Sequence, residues 1–351
     1  MARKIRIIVV DDSAFMRRAI TMMLEDEPDF EIVATASNGE DAIESILELK
    51  PDVVTLDIEM PGISGLEVLE RIMSEYPTPI IMISSLSTEG AKETIKALEL
   101  GAVDFIPKSL SYVSLDIIKI RDSLVEKIRS IGSRKKSILK NFSLQRKSLH
   151  VLKMNSESVG RKIRFVTIGI STGGPRTLQE VIPRLPRNFP RPVMIVQHMP
   201  PKFTKSLAER LDNMSEIKVK EAEHGEVIRP GCAYIAPGGL HMLLKKNHSN
   251  LHVVLTDKPS DTPHKPSVDV MLNSVVDIYG SQTLSVIMTG MGKDGLIGSK
   301  EVYRKNGKVL AEDEDSCVVY GMPRAVVDAG IADRVIGADG IAEAIIDYVS
   351  Q

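Results

Sequence analysis

Short apolar runs that stop at acidic or glycine-rich turns, each followed by apolar positions at helical spacing, recur along the first third of the chain. Residues 5–10 are apolar except for Arg6 and end at Asp11, Asp12 and Ser13, after which Phe15, Ala19, Ile20 and Leu24 mark one helical face. The alternation returns with a strand over 31–36 and a helix from Gly39, then with a strand over 53–56, closed by Asp57, and a helix from Gly65. Strands over 80–83 and 104–106, with helices over 89–100 and 114–131, complete the series. Strands alternating with helices in this way predict a doubly wound parallel sheet, a (βα)5 unit whose ligand site lies beyond the carboxyl ends of its strands.

The pattern dissolves over residues 132–163, which are basic and hold Glu157 as their one acid. That stretch lacks interleaved aromatics beyond Phe142 and any nucleic-acid-reading motif, so a solvated linker is the expectation. Ile138, Leu139, Leu144, Leu149, Val151 and Leu152 predict that part of it packs on a domain. The alternation resumes at 164–351 as a second α/β domain with a mostly parallel sheet and a β-hairpin around 247–250. The boundaries read from the pattern are therefore 1–131, 132–163 and 164–351.

In this second domain the apolar run 165–168 leads into Gly169, which is expected to let the backbone turn, and the chain is expected to reverse around Ser171 at the strand end. Gly173 and Gly174 leave room for a close approach, and Pro175 suits the first turn of a helix. Gly169, Ser171 and Gly173 match the G-x-S-x-G elbow of a nucleophilic serine, but the same turn can cradle a phosphate or merely cap a helix. Two further strands end in chemistry: residues 192–196 reach Gln197 and His198, and residues 284–289 reach a glycine-rich turn holding Asp294. A serine, a histidine and an aspartate at one sheet edge can form a triad. Their chain order, Ser-His-Asp, differs from the Ser-acid-His order of α/β-hydrolases. Among the other histidines, His241, His248 and His252 are expected on the hairpin surface, His150 in the linker, His224 in a loop, and His264 beside a pocket; Asp261 and Asp269 are rival acids.

Composition narrows the classes. At 351 residues the chain suits two domains, and 45 basic against 47 acidic residues leave a net charge of −2, with no global signature of a nucleic-acid partner. The two cysteines, Cys232 and Cys317, lack metal-ligand spacing and are expected as buried thiols. Residues 1–4 lead straight into a strand without a signal-peptide core, and no apolar run reaches membrane-spanning length, so a cytoplasmic location is expected.

In the first domain Asp11, Asp12 and Asp57 converge at one rim, with Ser84 and Lys108 at the ends of the fourth and fifth strands. Clustered carboxylates repel unless a cation neutralises them, and hard oxygen ligands suit Mg²⁺. Val10-Asp11-Asp12-Ser13, Leu56-Asp57-Ile58-Glu59-Met60-Pro61-Gly62, Ile83-Ser84-Ser85 and Pro107-Lys108 together resemble the receiver domain of two-component response regulators. The resemblance implies that Asp57 accepts a phosphoryl group from a histidine kinase. It further implies that Asp11, Asp12 and Asp57 hold Mg²⁺ with a backbone carbonyl near Glu59, that Ser84 and Lys108 support the phosphate, and that Phe105 is a switch residue.

In the second domain, Gly169-Ile170-Ser171-Thr172-Gly173-Gly174-Pro175, Gln197-His198-Met199-Pro200, Ala236-Pro237-Gly238-Gly239-Leu240-His241-Met242 and Met288-Thr289-Gly290-Met291-Gly292-Lys293-Asp294-Gly295 carry another likeness. They are similar to the protein-glutamate methylesterase domain of chemotaxis response regulators, the CheB family. That resemblance implies demethylation of glutamate γ-methyl esters on membrane chemoreceptors, with release of methanol, and deamidation of receptor glutamines. Ser171, His198 and Asp294 would be catalytic, the amides near Thr172 and Met291 would be the oxyanion donors, and ester hydrolysis would need no cofactor. Two other readings are a receiver-gated, non-catalytic receptor-binding adaptor and a regulator whose Gly169–Gly174 turn binds a nucleotide or nucleic acid. Against the latter, the turn is not G-x-G-x-x-G and no helix-turn-helix pattern is present.

Overall fold

The computed structural model describes residues 3–108, 114–135, 138, 163–247 and 250–350. It divides the chain into two compact units, Met1–Ser148 and Leu149–Gln351.

In the first unit the strands β1 (Ile5–Val10), β2 (Phe30–Ala36), β3 (Val53–Asp57), β4 (Ile80–Ser85) and β5 (Asp104–Lys108) alternate with α1 (Ala14–Glu25), α2 (Gly39–Leu49), α3 (Gly65–Glu75), α4 (Thr88–Leu100) and α5 (Ser114–Ser133). Among the described residues they form one parallel sheet in the order β2-β1-β3-β4-β5. Helices cover both faces, so β1 and β3 are mostly apolar, Arg6, Thr55 and Asp57 apart, and Ile7 through Val10 are fully buried. The turns begin helices with capping side chains: Ser13, Asn38, Ser64 and Ser87 accept from the Met16, Asp41, Glu67 and Gly90 amides. Val10 pairs with Leu56, which places Asp11, Asp12 and Asp57 at one rim. Lys135 donates to the Pro51 carbonyl and Ile138 is buried, so the beginning of the basic segment packs on this unit. The remaining linker positions, with His150, lie outside the described residues.

In the second unit the order among the described residues is β14-β13-β12-β6-β7-β9-β8, all parallel, with a separate antiparallel hairpin β10-β11. The strands are β6 (Phe165–Ile170), β7 (Val193–Gln197), β8 (Lys218–Glu221), β9 (Cys232–Ile235), β10 (His241–Asn247), β11 (Asn250–Thr256), β12 (Thr283–Ile287), β13 (Lys308–Glu312) and β14 (Arg334–Ile336). The helices are α6 (Gly174–Val181), α7 (Phe203–Met214), α8 (Val268–Tyr279), α9 (Leu296–Arg304), α10 (Met322–Asp328) and α11 (Ala338–Ser350). The chain lays strands to one side of β6 and then returns to its other side at β12. β6 therefore borders the position where the winding reverses, and its carboxyl end faces the crevice that such a reversal opens.

Two expectations need correction. Gly169 is not the turn: β6 runs through it to Ile170, and the backbone turns after Ser171, with Gly173 at φ +78°. Gly169 is instead a close approach, because a Cβ there would lie 2.4 Å from Val268 Cγ1. His241, expected at the hairpin surface, is fully buried, since the start of β10 tucks under the loop that precedes α8. His252 of β11 and His224 do lie at the surface, while His248 falls outside the described residues. Cys232 and Cys317 are buried, as expected.

Gly169→Ala is expected to destabilise this unit by about 1–3 kcal/mol through overpacking. Thermal unfolding checks it: at roughly 2–4 °C per kcal/mol, Tm should fall by several degrees.

Candidate functional site

The first unit assembles its acids as the pattern predicts. Ligand atoms of Asp11, Asp12 and Asp57 lie within 4.8 Å of one another. Lys108 Nζ lies 2.6 Å from Asp57 Oδ2 and 3.2 Å from Asp11 Oδ2. Burial pushes Asp57 up to about 6, helped by the charge of Asp11 and opposed by Lys108. Asp11 is likewise raised by burial. Two buried carboxylates against one ammonium leave an excess of negative charge, and this oxygen donor set fits a hard divalent cation. Ser84 sits at the same rim, but its hydroxyl is engaged by α4: it donates to the Gly90 carbonyl at 3.1 Å and accepts from Thr94 Oγ1 at 2.6 Å. Phe105 is buried, with Lys127 Nζ 5.8 Å from its ring centroid.

In the second unit, Ser171, His198 and Asp294 follow β6, β7 and β12, which are neighbours in the sheet. The Ser171 turn is held from both sides. Ser171 N donates to the Thr289 carbonyl at 2.9 Å, and the Ser171 carbonyl accepts from Gly174 N at 2.8 Å and Gln197 Nε2 at 2.9 Å. Glycine is required at two of these contacts: a Cβ on Gly290 would lie 2.8 Å from Ser171 Cβ, and one on Gly174 would lie 2.0 Å from Gln197 Oε1. The Ser171 side chain does not cap α6, whose N-cap is Gly173.

His198 Nε2 lies 2.8 Å from Asp294 Oδ2. A carboxylate can only accept, so the proton is on Nε2 and the lone pair on Nδ1. His198 Nδ1 is buried without a hydrogen-bond partner. Ile170 pairs with Gln197, so Ser171 and His198 occupy adjacent strand ends, although no hydrogen bond joins them in this structure. The His264 ring stacks on His198 with centroids 4.3 Å apart and 22° between planes. Although His264 is exposed, partial loss of water around its ring, and next the nearby His198, hold it below the usual imidazole range. His241 Nδ1 accepts from Ser267 N at 3.1 Å while its Nε2 lies 3.1 Å from the Pro259 carbonyl, tying down the loop that carries His264.

Asp294 is the most heavily bonded group here. Its Oδ1 accepts from Ser267 Oγ at 2.9 Å and Asp269 N at 3.0 Å; its Oδ2 accepts from Val268 N at 2.7 Å besides His198. These amides open α8, so the carboxylate occupies a helix N-terminus. Burial would raise its pKa, but the hydrogen bond and charge of His198 and the two amides outweigh it and hold Asp294 well below the usual carboxylate range. Of the rival acids, Asp261 is exposed, whereas Asp269 lies against Asp294.

Thr172 is buried, and its carbonyl accepts from Thr289 Oγ1 at 2.9 Å. Met291 follows Gly290, whose carbonyl accepts from the Gly321 and Met322 amides at the start of α10. The sequence reading missed the supporting residues. Glu312 is wholly buried, accepts from Thr289 N at 2.7 Å and Ser316 Oγ at 2.9 Å, and is pushed by burial up to about 7. Nothing in its local pattern marks it, because its partners are distant in the chain. The Ser267-x-Asp269 sequence could have been read as a helix start, but not as the seat of Asp294.

No helix among the described residues is long and apolar enough to cross a membrane. A family model described as CheB methylesterase matches residues 166–345, and one described as response regulator receiver domain matches residues 7–117. A Nitratidesulfovibrio vulgaris protein named protein-glutamate methylesterase/protein-glutamine glutaminase 2 is 46% identical, over 98% of this chain and 99% of its own. A Thermotoga maritima protein-glutamate methylesterase/protein-glutamine glutaminase is 47% identical over 99% of each. The crystal structure of the Thermotoga maritima CheB methylesterase catalytic domain is 49% identical and superposes with a TM-score of 0.52, covering 53% of this chain and 99% of that one. With receiver and esterase units in the same order and near-complete coverage, this chain belongs to the CheB family of protein-glutamate methylesterases/protein-glutamine glutaminases.

Proposed function

We propose that the chain is a phosphorylation-activated serine hydrolase that demethylates glutamate γ-methyl esters on chemoreceptors and deamidates receptor glutamines, and that it works in the cytoplasm on the receptors' exposed helices. The observation that carries this reading is the His198 imidazole, held by Asp294 through Nε2 and presenting a buried, unpartnered Nδ1 at the strand end beside Ser171.

In the proposed reaction Ser171 Oγ attacks the ester carbonyl as His198 Nδ1 takes its proton. The carbonyl becomes an oxyanion, and the amides of Thr172 and Met291 are the proposed donors to it. Collapse of this intermediate breaks the bond to the methoxy group, which leaves as methanol with the proton from His198. Water, deprotonated by the same Nδ1, then attacks the acyl-serine and frees the glutamate carboxyl and Ser171. With a glutamine substrate the leaving group is ammonia. Asp294 keeps the imidazole in the productive tautomer and stabilises the imidazolium.

In the receiver unit Asp57 is the proposed phosphoryl acceptor from a histidine kinase, with Lys108 pairing the phosphoryl oxygens. Asp11, Asp12 and Asp57 would hold Mg²⁺, which when bound neutralises charge building on the transferring group. Gating requires only that phosphorylation bias closed and open states, and a tenfold change in activity needs about 1.4 kcal/mol of differential stability.

Methanol release from methylated chemoreceptor membranes tests the reading. Ser171→Ala should lower the rate at least ~10³-fold, as loss of a nucleophile does in serine hydrolases; release that persists in the variant would refute a serine mechanism. A small phosphodonor should accelerate the wild-type protein and leave Asp57→Asn at its basal rate, and stimulation of that variant would remove Asp57 as the acceptor.

A further inference from the structure

Asp294 and Asp269 exchange helix ends. Asp294 lies just before α9, yet its carboxylate accepts from amides that open α8. Asp269 lies in the first turn of α8, yet its Oδ1 accepts from Gly298 N, in the first turn of α9, at 2.7 Å. Each acid therefore satisfies donors that the other's helix leaves unpaired. The helices close against each other at this end, where a Cβ on Gly298 would lie 2.4 Å from Leu272 Cβ. The exchange brings two carboxyl groups together in a half-buried setting.

Accepting that Asp294 and His198 act as proposed above, we infer that Asp269 is a positioning residue of the esterase centre. It anchors the start of α9, thereby fixing Asp294 against His198, and it supplies a second negative charge behind the pair. Burial, with the Asp294 charge, raises the Asp269 pKa above the usual carboxylate range, against the Gly298 amide. The groups bearing on it are Asp294, the Gly298 amide of α9 and the Gly295 amide just before that helix. Asp294 in turn faces His198, with His241 and His264 within its field.

The sign follows from charge. Ionised Asp269 adds to the negative potential at His198 and favours the imidazolium over the neutral ring. Asparagine keeps the oxygen that receives Gly298 N and removes the charge, so His198 should stay neutral, and active, to lower pH. Alanine removes both.

The test uses the full-length protein with a small phosphodonor, reading methanol release from methylated receptor membranes, together with an NMR titration of the His198 ring. Asp269→Asn should keep kcat within about threefold and KM unchanged. It should also move the His198 titration and the acid limb of kcat/KM down together, by up to about one pH unit, or tenfold in the ionisation constant. Asp269→Ala, folded by circular dichroism, should lose kcat tenfold or more without a matching rise in KM. A His198 titration in Asp269→Asn that superimposes on the wild-type curve, or an Asp269→Ala variant with wild-type kcat, would overturn the inference. The titration reads His198 without turnover, so failure of this inference is distinguishable from failure of the serine mechanism.

Discussion

Placing the Asp294 carboxylate on the first amides of α8 is the constraint from which the esterase centre follows. A buried carboxylate is costly unless its oxygens are satisfied, and each oxygen of Asp294 has two donors. Three of these donors belong to the start of α8, so the carboxylate stays ionised whether or not substrate is present. An ionised acceptor on Nε2 decides the imidazole tautomer and leaves Nδ1 as the basic atom. The arrangement mirrors serine proteases, where the acid takes Nδ1 and Nε2 serves the nucleophile. In the proposed mechanism the two nitrogens are likewise divided between acid and serine.

The receiver unit meets the same difficulty with different means. Asp57 is as deeply buried at a strand end, but it has one backbone donor, Glu59 N at 3.3 Å, and shares Lys108 with Asp11. Its pKa consequently rises while that of Asp294 falls. An under-compensated carboxylate suits the role proposed for Asp57, gathering a cation and a phosphoryl group. A fully compensated one suits a site that must keep one proton on one nitrogen through every turnover.

Much of this was legible in the sequence because it is local. Strand ends marked by Asp11, Asp57, Ser171, His198 and Asp294 could be read from apolar runs that stop. Of the strands that escaped notice, β8, β9 and β14 are three or four residues long and give too few positions for a period to emerge. The reversal at Ser171 was legible, but Gly169 was given a part in it because a glycine kept for packing against Val268 looks, in one dimension, like a glycine kept for its backbone freedom. The burial of His241 and the roles of Glu312 and Asp269 were invisible for another reason. Each depends on a partner that the sheet order brings near, and a single sequence does not state that order.

The sheet order also governs when the enzyme can exist during its own synthesis. The Ser171 turn is tied to Thr289, and the Thr172–Thr289 bond closes a separation of 117 residues. β6 and β7 can pair soon after they emerge, but the β12 side of β6 stays bare until most of the chain has been made. A nascent or truncated chain can thus hold the serine and the histidine without the acid or the loop that braces them. On the proposed mechanism such a chain would lack a complete catalytic set, and the exposed flank of β6 is where it is most open to mispairing.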